Sequence, residues 1–397
     1  MIPKILICGF IYSPSDNTVL TNMLIYIDKD GFIENICPNI GEINTSYEVV
    51  DLSNLFVMPG LIDAHCHPFI YDLNDYQLSH IKENSSYKTL RALKRVQHML
   101  KYGWTTIRIC GDADVEYGVI SLKRAIKEKI FVGPRIFGAA HYISSTGGGG
   151  DFLLSNENNC IHPDGKIVNG VEEMRKVVRE EIKYGSDWIK ILCSGAFMTS
   201  HDNPRDCHFS DEEIKMAVSE SNRRQVPVCA HAHSINSIKS SVLAGVKSIE
   251  HGTFIDEDHD IISIMKENNV YLVPTLYIKD YFSKDDLCNK YKQIHYQGVN
   301  NAYNKGVKIV CGTDNVGWCP SLNVNELLCL SKAGLSNNDV LKSATYTAAE
   351  MLNIHNSIGD IKIGYKADLI AIDGNPLENI NILLNPFKMV MIDGIIV

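Results

Sequence analysis

Apolar residues recur along this chain in two rhythms. Over the first 55 positions short apolar runs alternate with turn residues: Ile5–Ile7, Met23–Ile27 and Phe32–Ile36 read as strands, with Asp28-Lys29-Asp30-Gly31 as a hairpin turn. The last forty positions repeat that style, with strands at Lys366–Ile372 and Met389–Ile392 and a turn at Asp393-Gly394. Between these ends the pattern is strand then helix, repeatedly. Strand candidates end near His65, Arg108, Ala139, Ile191, His231, His251, Leu276 and Thr313, and amphipathic helices such as Leu90–Lys101, Val171–Tyr184 and Asp211–Arg224 fall between several of them. Ser210 followed by Glu213 is a capping-box signature at one helix start. Eight strands alternating with helices predict an α/β fold, a (β/α)8 TIM-like barrel over residues 56–356. Residues 1–55 and 357–397 predict one small β-sandwich formed by both chain termini, which often lie close together. Residues 144–170 form the one long loop, carrying Thr146-Gly147-Gly148-Gly149-Gly150-Asp151, and such loops inside compact domains tend to be lids or binding segments.

Composition narrows the function. A length of 397 residues accommodates a barrel and an accessory domain, and 45% apolar with 21% charged residues is ordinary for a globular protein. A net charge of −9 disfavours nucleic acid or an anionic membrane as partner, leaving a small-molecule substrate. Twelve cysteines occur without a CxxC pair, and Cys110, Cys193, Cys229 and Cys311 sit inside apolar runs, so they read as free thiols in a reducing compartment. Met1–Phe10 lacks an export pattern and no run approaches the ~18 apolar residues that span a bilayer, so a cytoplasmic location is expected.

The chemistry gathers at strand ends. Ala64-His65-Cys66-His67-Pro68, Trp188–Leu192, Ala230-His231-Ala232-His233, Ile249-Glu250-His251-Gly252 and Cys311-Gly312-Thr313-Asp314 each lie at or just past an apolar run, where a barrel places its active site. Imidazoles and a carboxylate are ligands that zinc and similar ions take. Side chains alternate along a strand, so with His65 and His67 facing the site Cys66 points into packing. Lys190, flanked by Ile189, Ile191 and Leu192, has no obvious partner, and a buried unpaired charge is costly. His231 and His233 share a strand face. His231, which closes the run Val226–Ala230, is the better ligand candidate, and His233 the supporting or substrate-contacting one.

Pro59-Gly60-Leu61-Ile62-Asp63-Ala64-His65-Cys66-His67 resembles the strand-one signature of the amidohydrolase superfamily. Within it the chain is similar to the group holding metal-dependent Xaa-Pro and Xaa-Arg dipeptidases and imidazolonepropionase-like proteins. The likeness continues through Gly103–Arg108, Ala244–Thr253 and Gly364–Leu369. The resemblance implies two divalent metal ions, with zinc the default and manganese, iron or cobalt also suited to N/O ligands. His65, His67 and Asp314 would hold the first, and His231 and His251 the second. Lys190, carboxylated by carbon dioxide, and a hydroxide would bridge them. Two metals acidify the bridging water and polarise the scissile carbonyl, while Asp314 takes the proton and delivers it to the leaving nitrogen.

The reaction so implied is amide hydrolysis of a dipeptide or N-acyl amino acid by attack of the metal-bridging hydroxide. Cyclic amides or lactones are the alternative substrates for the same metals. A mononuclear aminohydrolase or deaminase is the rival class, disfavoured because Ser234, Ile235, Asn236 and Ser237 follow His233 without a Glu while Lys190 is present. A barrel that has lost catalysis would have lost ligands, and this chain keeps the full set. For substrate contacts, Tyr277 at the end of the seventh strand resembles a tyrosine that grips the substrate carboxylate. Related chains read Thr-Gly-Gly-His-Gly in the third-strand loop; here Gly149 replaces the histidine, and His141 stands a few residues earlier as its substitute. His201, Arg205 and His208 follow the fourth strand and either line the mouth or belong to a solvated loop. Relatives are commonly multimeric, so a homo-oligomer is expected.

Overall fold

A computed structural model of the protein describes residues 2–40, 46–70, 82–151, 163, 165–197, 199, 202–284 and 286–397. His201 and the middle of the 144–170 loop lie outside the described residues. In chain order the described strands are β1 (Lys4–Ser13), β2 (Thr18–Ile27), β3 (Ile33–Pro38), β4 (Glu48–Pro59), β5 (Leu61–Cys66), β6 (Trp104–Cys110), β7 (Arg135–Ala139), β8 (Tyr142–Ser144), β9 (Lys166–Ile167), β10 (Ile189–Leu192), β11 (Val228–Ala232), β12 (Ser248–His251), β13 (Tyr271–Val273), β14 (Leu369–Ile372), β15 (Met389–Ile392) and β16 (Ile395–Ile396).

Both ends of the chain build one seven-stranded sheet, ordered β16-β15-β14-β4-β1-β2-β3. β2 and β3 form the expected hairpin about Asp28–Gly31, Ile27 opposite Ile33; β1 pairs antiparallel with β2, Lys4 opposite Ile27, and β14 with β4, Leu369 opposite Pro59. The sheet coils until its two ends meet: the Ile33 N–H donates to Tyr365 O, and Gly31 lies against the backbone of Asp393. Gly31 adopts a φ of +80°, and a Cβ there would stand 2.0 Å from the Asp393 carbonyl oxygen, so only glycine fits both constraints. Leu6, Ile25, Leu52, Leu369 and Met391 fill the space between the facing strands, giving this β-domain its own apolar core. The two layers expected of a sandwich are therefore one sheet folded over itself. β4 escaped the sequence reading because Asp51, Ser53 and Asn54 interrupt its apolar run.

The central strands are buried on both faces, which is why they read as continuous apolar runs. They form two parallel sheets, β5-β6-β7 and β13-β12-β11-β10-β8-β9. The third barrel strand breaks at Ala140-His141; β7 pairs with β6, and β8 pairs with β10 through Tyr142 opposite Lys190. The stretch 308–315 supplies the eighth position. On one side the Val310 N–H donates to Leu272 O, and on the other the Ala64 N–H donates to Cys311 O and the Asp314 N–H to His65 O. These bonds carry the parallel pairing round to β5.

The flanking helices follow the predicted periodicity. Val171–Tyr184 is helical as read, burying Met174, Val178 and Glu181 on one face, and Asp211–Asn222 begins with the Ser210 capping box. The helix placed at Leu90–Lys101 starts earlier, at Ser85, where the Asn84 side chain accepts the Tyr87 N–H. The seventh strand ends at Val273 rather than near Leu276, because Thr275 turns into the left-handed region and a short helix, Leu276–Tyr281, follows. Among the described residues no helix is long and apolar enough to cross a membrane.

Candidate active site

The alternation of β5 brings His65 and His67 to one side, while Cys66 packs into the core with its thiol toward Arg108 O. Asp314, just past the eighth segment, faces both imidazoles: its Oδ1 is 3.2 Å from His67 Nε2 and 3.5 Å from His65 Nε2. The protons on these rings are fixed from behind. His65 Nδ1–H donates to Glu250 Oε2 at 2.6 Å, and His67 Nδ1–H donates to the Gly111 carbonyl at 2.7 Å. The two Nε2 atoms then lie 3.2 Å apart beside a carboxylate oxygen, and although burial opposes it, Asp314 raises the His67 imidazole above its ordinary value, so a cation bound there would displace the His67 proton. Two imidazole nitrogens and an anion converging in a buried space suit a bound cation.

A second group forms opposite. The ligand atoms of His231, His233 and His251 lie within 4.8 Å of one another, and those of His65, His251 and Asp314 do the same, so His251 is common to both groups. His231 Nε2–H donates to Gly195 O at 3.1 Å, leaving Nδ1 for a ligand. His233 and His251 are held through Nδ1 by the hydroxyls of Thr253 and Thr275. Both His231 and His233 thus face the same space, and geometry does not divide them into ligand and substrate contact.

Burial first, and the Lys190 charge second, push His65 down to about 4 and His231 down to about 3. Burial also drives His233 and His251 well below the ordinary histidine range, so these imidazoles are neutral and able to ligate. Burial opposes ionisation of Asp314, yet His65, His67 and Lys190 outweigh it and hold the carboxyl well below its usual value. Lys190 itself is buried against this cluster and, among the described residues, its ammonium makes no hydrogen bond or ion pair. The backbone is strained where the donors sit: φ is +70° at His251, +49° at Thr275 and +54° at Asp314. Such conformations cost about 1–3 kcal/mol each and persist where surrounding contacts enforce them.

Two buried networks enforce this one. Asp63 ties β5 to the eighth segment, accepting from the Thr313 N–H at 3.0 Å, the Thr313 hydroxyl at 2.7 Å and Asn323 Nδ2 at 3.1 Å. Glu250 accepts from His65 and from Arg108, whose Nη2 is 2.8 Å from both carboxylate oxygens, and the ion pair is fully buried. The Arg108 guanidinium also lies 4.5 Å from the Trp188 ring. The sequence reading assigned no role to Asp63, Arg108 or Glu250. The available signal was a charged residue inside a fully apolar strand, which requires a buried partner.

Gly312 allows the eighth segment to approach β5, since a Cβ there would stand 2.4 Å from Val273 Cγ1 and 2.7 Å from His65 Cβ. Gly312→Ala is expected to destabilise the protein by about 1–3 kcal/mol through overpacking. Denaturant unfolding checks this, and an unchanged midpoint would contradict it.

The imidazoles, Lys190 and Asp314 form one wall of a cavity of about 140 Å³. Its other walls are mainly apolar, with Ile70, Leu192, Phe197, Ile278 and Val316, and Gly149 opens onto it. Lys279, which the sequence reading passed over, also lines it. Two expected substrate contacts fall outside the residues that line this cavity. Tyr277 lies on a helix rather than a strand end and does not line the cavity; its ring packs against Trp318, with centroids 5.5 Å apart. His141 falls at the break between β7 and β8, where its Nδ1–H donates to Glu181 at 2.8 Å and its ring meets Tyr117, away from the cavity lining. Of the mouth candidates, Arg205 pairs with Glu257 and covers the Phe254 ring, and His208 pairs with Asp202; neither lines the cavity.

The family model described as the amidohydrolase family matches residues 56–397. The chain is similar to the crystal structure of a Xaa-Pro dipeptidase with methionine bound in its active site, at a TM-score of 0.92 and 31% identity, covering 100% of this chain and 99% of that one. It is also 29% identical over 357 residues to an ochratoxinase from Aspergillus niger, covering 83% of this chain and 72% of that protein. An imidazolonepropionase from Fusobacterium nucleatum is 26% identical over 391 residues, covering 89% of this chain and 85% of the relative.

Proposed function

Because this chain belongs to the amidohydrolase family, we propose that it hydrolyses the amide bond of a dipeptide or N-acyl amino acid at a pair of divalent metal ions. The observation that carries this reading is the pair of histidine groups sharing His251, gathered around a buried lysine that has no partner among the described residues. His65, His67 and Asp314 would hold one ion, and His231 and His251, with His233 beside them, the other. Zinc is the default for such a donor set. When bound, two cations acidify water and polarise a carbonyl.

The chain's own residues supply the rest. Asp314, ionised because its cationic surroundings outweigh burial, accepts the proton of the attacking water and returns it to the leaving nitrogen. Glu250 and the Gly111 carbonyl hold His65 and His67 in the tautomer that leaves Nε2 free. The apolar walls receive an apolar acyl or side-chain group and exclude water. Carboxylation of Lys190 by carbon dioxide would convert an unpaired buried ammonium into an anionic oxygen donor between the two histidine groups. Lys190→Met is therefore expected to cut bound metal from two equivalents to one or fewer and to lower activity at least a thousandfold. Elemental analysis with initial rates reads both, and full metal content with wild-type rates would remove Lys190 from the site.

The similarity to the Xaa-Pro dipeptidase, whose structure holds methionine in its active site, supports an amino-acid-containing amide. The similarity to an imidazolonepropionase supports a second reading, hydrolysis of a cyclic amide at the same groups. A pooled screen of dipeptides and N-acyl amino acids against metal-loaded protein tests the first, with cyclic amides and lactones as a parallel arm. Turnover confined to the parallel arm would overturn the proposal.

A further inference from the structure

We infer that Lys279 is the anchor for the free α-carboxylate of the substrate, which makes this enzyme specific for amides of a single terminal amino acid. The inference rests on the hydrolase reading above.

Lys279 lies on the helix Leu276–Tyr281, only 3% exposed, and lines the same cavity as Lys190 and Asp314. Among the described residues its ammonium has no hydrogen bond and no ion pair; it lies over the face of Phe197, 4.1 Å from the ring centroid. A cation–π contact leaves the hydrogen-bonding demand of an ammonium unmet, and a buried cation without an anion is costly. Burial pushes Lys279 down to about 8, against the opposing pull of Cys288, Asp314 and Glu326. Its charge is felt in turn by His233, on the wall that would hold metal.

The helix is fixed in place. Glu326 accepts the Leu276 N–H at 3.0 Å and the Tyr277 N–H at 2.7 Å, which anchors the first turn of the helix that carries the buried Lys279. The nearest aromatic candidate for the same task, Tyr277, is turned into packing against Trp318. The cavity thus offers an incoming anion one ammonium beside apolar walls. Lys279 and Asp314 line one cavity of about 140 Å³, so the anion assigned to Lys279 is the carboxylate of the leaving amino acid, one carbon from the scissile nitrogen. An amidated C-terminus would bring no charge to Lys279, and a longer peptide would place backbone where the ammonium requires an anion.

The test compares N-acetylmethionine with N-acetylmethioninamide, on wild type, Lys279→Met and Lys279→Arg, all metal-loaded. Rates are read alongside binding by calorimetry. Wild type is expected to favour the free acid by about a hundredfold in kcat/KM, the scale lost when one member of a buried charge pair is removed. Lys279→Met should abolish that preference chiefly through KM, and Lys279→Arg should restore part of it. Turnover of both compounds without discrimination, or an equal loss on both in Lys279→Met, would overturn the anchor while leaving the hydrolase reading intact. Acid-selective binding that disappears in Lys279→Met, with no turnover of either compound, would support the anchor and refute the hydrolase reading. Absence of both binding and turnover counts against the anchor.

Discussion

Asp314→Asn is expected to lower kcat by about a thousandfold while the fold survives, within the range that a positioned acid–base group supplies. The substitution preserves shape but replaces an ionised carboxylate, 3.2 Å from His67 Nε2, with an amide that cannot take a proton from water. Its neighbours remain well held, because Asp63, Thr313 and Asn323 fix the backbone around position 314 independently of its side chain. Metal content measured alongside the rate separates two origins of the loss. Two retained equivalents with slow turnover assign the defect to proton transfer, whereas loss of one assigns it to ligation. Rates at the wild-type level would remove Asp314 from the mechanism.

Glu250→Gln should be the most destabilising single change at the site, costing about 3–5 kcal/mol. That is the usual penalty for leaving a buried charge unpaired. Arg108 and Glu250 are each 0% exposed, so neither water nor another carboxylate reaches the guanidinium once Glu250 is gone. The same substitution weakens the hold on His65 Nδ1, and metal affinity is expected to fall about 10- to 100-fold. Burial opposes ionisation of Glu250, but Arg108 and then His65 outweigh it and hold the carboxyl far below its ordinary 4.5. A depressed carboxyl adds stability that is complete above about pH 4.5 and is lost as the pH falls. The difference between wild type and Glu250→Gln should therefore be largest near neutral pH and shrink on acidification. A constant difference from pH 7 to pH 3 in urea unfolding would show that the ion pair is not its source.

The sequence exposed those parts of this molecule that depend on local periodicity. Apolar runs ending in His65, His231 and His251 announced their strands because parallel barrel strands are buried on both sides, and helices such as Val171–Tyr184 carried a clear 3.6-residue rhythm. What stayed hidden was long-range or too short to have a period. Arg108 and Glu250 meet across 142 positions, and no local pattern announces that pairing. The run Val273-Pro274-Thr275-Leu276-Tyr277-Ile278 is too short to display a period, so strand and helix could not be told apart there. That ambiguity put Tyr277 at a strand end and concealed Lys279, two residues further along a helix. The third strand breaks at His141, so no continuous alternation in the sequence told which way its ring faces.

The order in which the chain is made has a consequence for how it can fold. The edge of β4 is closed by β14, roughly three hundred residues downstream, and β5 waits for the segment at 308–315. At about 5–20 residues per second, a ribosome needs on the order of 15–60 s to deliver β14 after β4 has emerged. Throughout that interval Phe56, Val57 and Met58 present an unpaired apolar edge of the kind that templates aggregation. The ring of strands waits for residues 308–315, and the coiled sheet for the last forty residues of the chain. Its yield in a cell should accordingly respond to nascent-chain chaperones and to slower synthesis more than its final stability would suggest.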